Sequence, residues 1–455
     1  MSRPATSPLD SLLDRAHSAP AALLIRAAHL LDPRAGLDGP GDLLVRHGTV
    51  AEIGAPGALE APADAEVVEA EGLHAFPAFV DPHVHLRTPG REDEEDIETG
   101  TRSAAAGGYG AILAMPNTDP VVDSASILGS LRERARSEAR IPLGFTAAVT
   151  VGQRGEQLTE MAELAAAGAA AFTDDGLPLR SAGVMRQALA YQRLAGRCIA
   201  LHEEDPALSG DGAMHEGDVS ALLGVAGIPS VSESTMVARD TELAAYEDAF
   251  IHVQHVSARE TVEVLERARD AGVRVSAEAT PHHLLLTHEC VLGLDTHFKM
   301  NPPLRSEGDR QALIEGLRSG VLGCIATDHA PHAREEKEEP FEIAPMGVTG
   351  LESAFAAVHT DLVVPGVLPL GLVIERMTAG GEPFGLSTPT LAKESRANIC
   401  LVDLAAEWEV GESGYESRSS NCAFAGRRLV GRVRMTLAAG AVAFRERSFA
   451  IGAVA

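Results

Sequence analysis

The chain has almost no lysine: Lys299, Lys337 and Lys393 stand against 35 arginines in 455 residues, and none occurs before position 299. Basic residues as a whole are outnumbered, with 38 Lys and Arg against 65 Asp and Glu and a formal net charge of -27. That balance excludes the nucleic-acid binders that depend on clustered cations. The arginine preference, with abundant alanine, reads as genome bias. The five cysteines (Cys198, Cys290, Cys324, Cys400 and Cys422) are scattered, odd in number and without a C-x-x-C pair, so neither a disulfide framework nor a thiolate zinc site is expected. No apolar run approaches the roughly 18 residues of a membrane-spanning helix. Residues 1–20 carry prolines, acids and arginines where a signal peptide needs a continuous apolar stretch. A cytoplasmic protein with no membrane partner is expected.

At 455 residues the chain is longer than a typical single domain. It accommodates a (β/α)8 barrel of about 250 residues or more with an accessory domain. Between about residues 22 and 70, alternating runs such as Asp42-Leu43-Leu44-Val45 and Thr49-Val50-Ala51-Glu52-Ile53 flank a turn-like His47-Gly48, the pattern of a β meander. Residues 398–404, 428–437 and 441–444 have the same texture, with Gly440 as a turn. The two ends, 22–75 and 391–455, therefore predict one small β domain. Between them, across 76–390, apolar strands alternate with helical stretches at 127–139, 157–167, 235–249 and 258–271, which predicts a parallel sheet. The expected fold is α/β, a TIM-like barrel with a small β-sandwich domain formed from both chain ends. Residues 1–21 read as a disordered N-terminal extension, and the charged run 334–340 as a mobile tract. Gly107-Gly108-Tyr109-Gly110 lacks the strand, G-x-G-x-x-G, helix order of a nucleotide site.

Polar residues gather at the ends of the apolar runs. Residues 72–80 read as a buried strand leading into Asp81-Pro82-His83-Val84-His85-Leu86-Arg87. Side chains at i and i+2 share a face of a strand, so His83 and His85 can reach one ion. The runs 167–173, 197–201, 250–254 and 321–327 end in Asp174-Asp175, His202, His255 and Asp328. A lone carboxylate after a strand is usually a helix cap or a solvated loop residue. Five such endings place four histidines and two aspartates, Asp328 and one of the Asp174-Asp175 pair, where barrel enzymes hold their active sites. This donor set suits Zn²⁺ with a position left for water, and so metal-assisted hydrolysis.

The motifs HVHLRTPG (83–90), MPNTDP (115–120), AFTDDG (171–176), LHEED (201–205), HVQHVS (252–257), KMNPPLR (299–305), TDHAPH (327–332) and APMGVTGLE (344–352) complete the pattern. In this order the chain resembles the dihydroorotases of the amidohydrolase superfamily, the bacterial type with an aspartate at the bridging position. The resemblance covers nearly everything after about residue 22. It implies that His83, His85 and Asp328 ligate one metal, His202 and His255 a second, and Asp175 the bridge. Asp174 is the rival for the bridge and His252 for His255; family spacing favours Asp175 and His255. The implied cofactor is zinc, one or two ions per subunit, with a binuclear site favoured. Arg87, Asn117 and His332 are the implied holders of the substrate carboxylate, with Asn301 near the ring amide. Arg87 offers the planar fork that a lysine would not reproduce.

The implied reaction is the reversible hydrolysis of the cyclic amide of L-dihydroorotate to N-carbamoyl-L-aspartate in pyrimidine biosynthesis. Hydroxide is the nucleophile, and Asp328 acts as general base and then general acid. Hydantoinases and allantoinases share the superfamily but bridge their metals with a carboxylated lysine, for which no lysine precedes Lys299. A purely structural partner of aspartate transcarbamoylase should lack at least one ligand, and here every position is filled. A small-molecule substrate and a homodimer are expected, with a transcarbamoylase complex left open. Met346 stands where the family pattern leads one to expect an aromatic residue.

Overall fold

The structure, a computed structural model, describes residues 8–447 and Phe449. Eight short parallel strands make the barrel. Phe79–Val84, Tyr109–Ala114 and Leu143–Phe145 form one hydrogen-bonded group. Ala171–Phe172, Cys198–Leu201, Ile251–Val253, Val275–Ala279 and Cys324–Ile325 form the other. Parallel bridges from Ala147 to Phe172 and from Val84 to His329 close the two seams. At the second seam the buried carboxylate of Asp81 accepts from the backbone N–H of Thr327 (3.1 Å) and its hydroxyl (2.6 Å). Burial raises the Asp81 pKa to about 7.

Helices Ala125–Glu138, Met161–Ala167, Val231–Glu247 and Arg259–Asp270 fall where the apolar periodicity predicts them. In the first, Leu128, Leu131 and Ala135 share one face and are buried. The glycine run 107–110 is a packing device. A Cβ on Gly107 would lie 2.1 Å from the Leu351 carbonyl oxygen, and one on Gly110 would lie 2.8 Å from the Ala78 Cβ.

Both chain ends build the small domain, whose strands form one hydrogen-bonded path from Ala441–Arg445 through Arg428–Ala438, Ile399–Glu409, His74–Pro77, Leu23–Asp32 and Leu37–Arg46 to Thr49–Gly54, with Glu66–Glu69 beside Leu23–Asp32. Side chains far apart on that path, among them Ile25, Val45, Val50, Leu401 and Leu437, share one core, so the sheet curls to give the two facing layers of a sandwich. Its closure brings two hairpin turns together at Gly48 (φ +71) and Gly440 (φ +80), where a Cβ on Gly48 would meet the Gly440 carbonyl oxygen at 2.7 Å.

Three expectations are corrected. The run 72–80 is not one strand. His74–Pro77 belongs to the small domain and Phe79–Val84 to the barrel, with Ala78 crossing between them through a hydrogen bond from its N–H to Asn398 O. Residues 1–7 lie outside the described residues, but 8–21 are docked. Asp14 and Leu143 exchange two backbone hydrogen bonds of 2.9 Å. The Asp14 carboxylate receives Nε of Arg132 (2.6 Å) and Arg136 (3.0 Å), and Leu9 and Leu13 pack beside Leu113 and Phe384. The charged run 334–340 is also fixed. Arg334–Lys337 is a short helix, and Lys337 is buried.

Candidate active site

The carboxyl ends of the barrel strands converge on Asp175. His83 and His85 come from the end of the first strand, and their Nε2 atoms lie 3.4 and 3.5 Å from Oδ1 and Oδ2 of Asp175. Asp328 follows the eighth strand, with Oδ1 3.0 Å from His85 Nε2 and 3.4 Å from His83 Nε2. On the other side of Asp175, His255 Nε2 is 3.8 Å and His202 Nδ1 4.0 Å from Oδ1, and these two nitrogens are 2.9 Å apart. Two groups able to hold a cation result, one of His83, His85 and Asp175 and one of His202, His255 and Asp175. The aspartate is common to both.

The two alternatives left open by the sequence have different surroundings. Asp174 turns away from the centre and accepts from the N–H groups of Val149 (2.8 Å) and Thr150 (3.1 Å) and from the Thr150 hydroxyl. Its pKa is raised to about 6 by burial. His252 sits a layer below, between Ser276 Oγ (2.7 Å) and Glu278 Oε2 (3.0 Å).

Electrostatics keep the acids ionised. Burial opposes charge on Asp175, but His83, His255 and His85 outweigh it and hold the carboxyl well below its usual range. Asp328 is lowered in the same way against the cost of burial, by His83 and His85 first. His83 is pulled down by burial yet held well above its ordinary value by Asp175, Asp328 and Glu278. His202 is lowered to about 4 by burial and by His255. Arg87, His255 and Asp328 have φ of +54, +31 and +48, left-handed backbone that costs of order 1–3 kcal/mol each for residues with a Cβ. Such strain concentrates where a side chain must be aimed.

The cluster suits a cation on its own terms. His83 Nε2 and Asp175 Oδ1 are buried without a hydrogen-bond partner, and both point into the centre. Leaving a buried polar atom unmet costs about 1–3 kcal/mol, and an ion between the two groups removes that cost at several atoms together. Nitrogen and carboxylate donors without sulfur match Zn²⁺ among the borderline metals.

Around this centre lie the other expected residues. Asn117 Oδ1 is 2.9 Å from His85 Nδ1, and its Nδ2 donates to Asp175 Oδ2 at 3.3 Å. Asn301 Nδ2 is 3.5 Å from His202 Nε2, while its Oδ1 is buried without a partner. Arg87 is fixed by Glu94 (3.1 Å) and the Pro331 carbonyl (3.0 Å), with Nη2 3.4 Å from His332 Nε2. His332 Nε2 is also 2.9 Å from Met346 O. Burial and Arg87 lower the His332 pKa to about 3, so it is neutral.

Sequence reasoning missed the residues that orient the cluster histidines. Glu278 Oε1 accepts from His83 Nδ1 at 2.7 Å, which fixes the tautomer that leaves Nε2 free for a metal. An acid on the inward face of the strand Val275–Ala279 was the available signal. His282 is a second omission. It is buried, its Nε2 has no partner, and burial lowers its pKa to about 4.

Known proteins match this architecture. The Dihydro-orotase-like family model matches residues 73–261. A dihydroorotase of Anaeromyxobacter dehalogenans (strain 2CP-C) is 43% identical over 427 residues, 93% of this chain and 98% of its own length. Those of Pelotomaculum thermopropionicum and Bacillus caldolyticus are 42% and 43% identical, over 93% and 88% of this chain and 99% and 94% of theirs. Among solved structures, a dihydropyrimidinase from Brevibacillus agri NCHU1002 superposes with TM-score 0.81 at 24% identity, covering 94% of this chain and 96% of the other. An L-hydantoinase from Arthrobacter aurescens also gives 0.81 at 24% identity, covering 93% and 96%. These two likenesses concern the fold, a barrel carrying a sheet domain. With its own strand-end cluster and relatives above 40% identity along nearly the whole length, the chain belongs to the dihydroorotase family of cyclic amidohydrolases.

Proposed function

We propose that the protein hydrolyses, and in the reverse direction closes, the cyclic amide of L-dihydroorotate, with N-carbamoyl-L-aspartate as the open form. The observation that carries this reading is the pairing of one shared carboxylate, Asp175, between two histidine pairs with a guanidinium and a neutral imidazole, Arg87 and His332, beside them. His83, His85 and Asp328 would hold one zinc ion and His202 and His255 a second, with Asp175 common to both. When bound, the metal supplies Lewis-acid chemistry, acidifying a water and polarising the scissile carbonyl.

This chain's residues do the rest. Arg87, Asn117 and His332 hold the substrate carboxylate, and Asn301 orients the ring amide. Asp328, kept ionised by its imidazole neighbours, takes the proton from the attacking water at a carboxylate oxygen. It then delivers that proton to the ring nitrogen as the C–N bond breaks, leaving a carbamoyl NH2 and a carboxyl group whose remaining proton passes to solvent to give the carboxylate. Ring closure uses the same groups in reverse order. Glu278 keeps the His83 imidazole oriented throughout. Asp175 takes the place that a carboxylated lysine would need, since no lysine precedes Lys299.

The test is reconstitution. Chelated protein is expected to lose dihydroorotate turnover and regain it with zinc, approaching two equivalents at full activity. Full turnover after complete metal removal would overturn the reading, and saturation at one equivalent would overturn its binuclear part. A cytoplasmic homodimer, alone or with aspartate transcarbamoylase, is the companion proposal. Native mass with and without the transcarbamoylase checks it.

A further inference from the structure

Two of the three lysines in a chain with 35 arginines lie together, buried to 3% and 5% exposure, under the segment that ends at Met346 and Gly347. Lys299 Nζ donates to the carbonyls of Glu342 (3.2 Å) and Ala344 (2.7 Å). Lys337 Nζ donates to those of Lys299 (3.3 Å), Pro345 (3.0 Å) and Gly347 (3.0 Å). The Gly347 N–H in turn donates to Lys299 O at 2.9 Å. Neither ammonium makes a direct salt bridge to a carboxylate among the described residues. Lys299 Nζ also lies 5.4 Å from the centre of the Phe341 ring, and burial with the neighbouring Lys299 lowers the Lys337 pKa to about 7. Burying two amines against carbonyls and one ring, with no carboxylate partner, is expensive, so their retention calls for a role.

An ammonium is a compact point charge with three donors that can meet three carbonyls from different directions; a guanidinium fork is planar and cannot. Arginine therefore fails here even in a chain that uses it almost everywhere else. The clasped backbone is functional ground. Met346 O holds His332 Nε2 at 2.9 Å, Asn421 ties His332 N–H to the Gly347 carbonyl, and a Cβ on Gly347 would lie 2.8 Å from His332 Nε2. Lys299 is also two residues before Asn301.

We propose that Lys299 and Lys337 are positioning residues that clasp the 342–347 backbone into the wall of the carboxylate pocket and thereby set His332 and the affinity for an anionic substrate. The substrate part rests on the dihydroorotase reading; the clasp does not. The hydroxyl of Thr296, in the turn Thr296–Phe298 just before Lys299, donates to the Lys337 carbonyl, so the clasp links the two loops that flank the pocket.

The experiment compares full-length, zinc-loaded wild type with Lys337→Met, Lys299→Met and Lys337→Arg, with metal content measured in each. Amide hydrogen exchange is followed beside steady-state kinetics on dihydroorotate. Both Met variants are expected to raise KM about tenfold with kcat within about threefold, at unchanged metal content. Exchange across 341–347 should accelerate while the strand Ile251–Val253 stays protected. Lys337→Arg should not restore KM; restoration would show that charge alone suffices and overturn the clasp. An unchanged KM in the Met variants would overturn the pocket role, and unchanged exchange across 341–347 would overturn the clasp itself. Should Lys337→Met not fold, Thr296→Val removes the hydrogen bond that anchors the Lys337 backbone and so loosens the placement of its ammonium, with a KM rise of about two- to threefold expected and no rise contradicting the proposal. If wild type fails to turn over dihydroorotate, the functional reading falls, and loop exchange still decides the clasp.

Discussion

Single residues carry the chemistry, and each makes a separable prediction. Asp328 lies 3.0 Å from His85 Nε2 and moves the proton in the proposed reaction. Asp328→Asn keeps the shape and loses the base, so kcat should fall about 10²- to 10⁴-fold, the usual worth of general acid–base catalysis, while product binding by calorimetry is nearly retained. Arg87 is held by Glu94 and Pro331 O in a left-handed backbone conformation, which aims its fork. Arg87→Lys should raise KM about tenfold or more with a smaller change in kcat, because a point charge cannot grip a carboxylate with two parallel bonds. An unchanged KM would remove Arg87 from the pocket.

The metal-free cluster also predicts a pH dependence. His83 is held well above its ordinary value and His255 is raised, so both keep protons to higher pH than a free imidazole and a metal must displace them. Asp175 and Asp328 are lowered and already ionised. Zinc affinity should therefore strengthen as pH rises through the imidazole range and weaken below it, with proton release visible by calorimetry in buffers of different ionisation enthalpy. Affinity independent of pH over about two units around neutrality would contradict this assignment of charge.

At the scale of elements, strand ends were legible and junctions were not. His83 and His85 are readable as a pair because a strand repeats every two residues, whatever surrounds it. Asp174 and Asp175 are not separable by that rule. Consecutive side chains diverge, and which of them faces the centre depends on the N–H groups of Val149 and Thr150 from another loop. The run 72–80 looked continuous because both domains want apolar residues there, and only the partners of Ala78 reveal the crossing. Residues 8–21 read as disordered since a short segment with scattered leucines has no period of its own. Its place is fixed by Arg132 and Arg136 meeting Asp14. Asp14→Ala should cost about 1–3 kcal/mol in urea unfolding, since it strips a charged acceptor from the partly buried Arg132 as well as from the exposed Arg136, with turnover unchanged. A loss below about 0.3 kcal/mol, the range of an ordinary exposed pair, would make the strap incidental.

For the whole molecule, composition constrained partners and the ordered motifs indicated the family, while three-dimensional closure supplied what neither could. Glu278 is 195 residues from His83 and the clasped segment 342–347 lies some forty residues past Lys299, separations that no local pattern reports. The same closure leaves buried donors around Asp175 unmet, so metal binding should stabilise the fold. Zinc is expected to raise the thermal midpoint measured by calorimetry and chelation to lower it, since a ligand bound only by the native state stabilises by mass action. A midpoint indifferent to both would contradict a centre built from His83, His85, His202 and His255.

The central claim is the identity of the ring that this site opens. The most direct measurement is turnover of zinc-loaded protein with L-dihydroorotate, hydantoin and allantoin in parallel, each repeated after chelation. The account predicts chelator-sensitive conversion of dihydroorotate alone, because only that ring carries the carboxylate that Arg87, Asn117 and His332 are proposed to hold. Conversion of hydantoin or allantoin at a comparable rate, or none of dihydroorotate with metal bound, would contradict it.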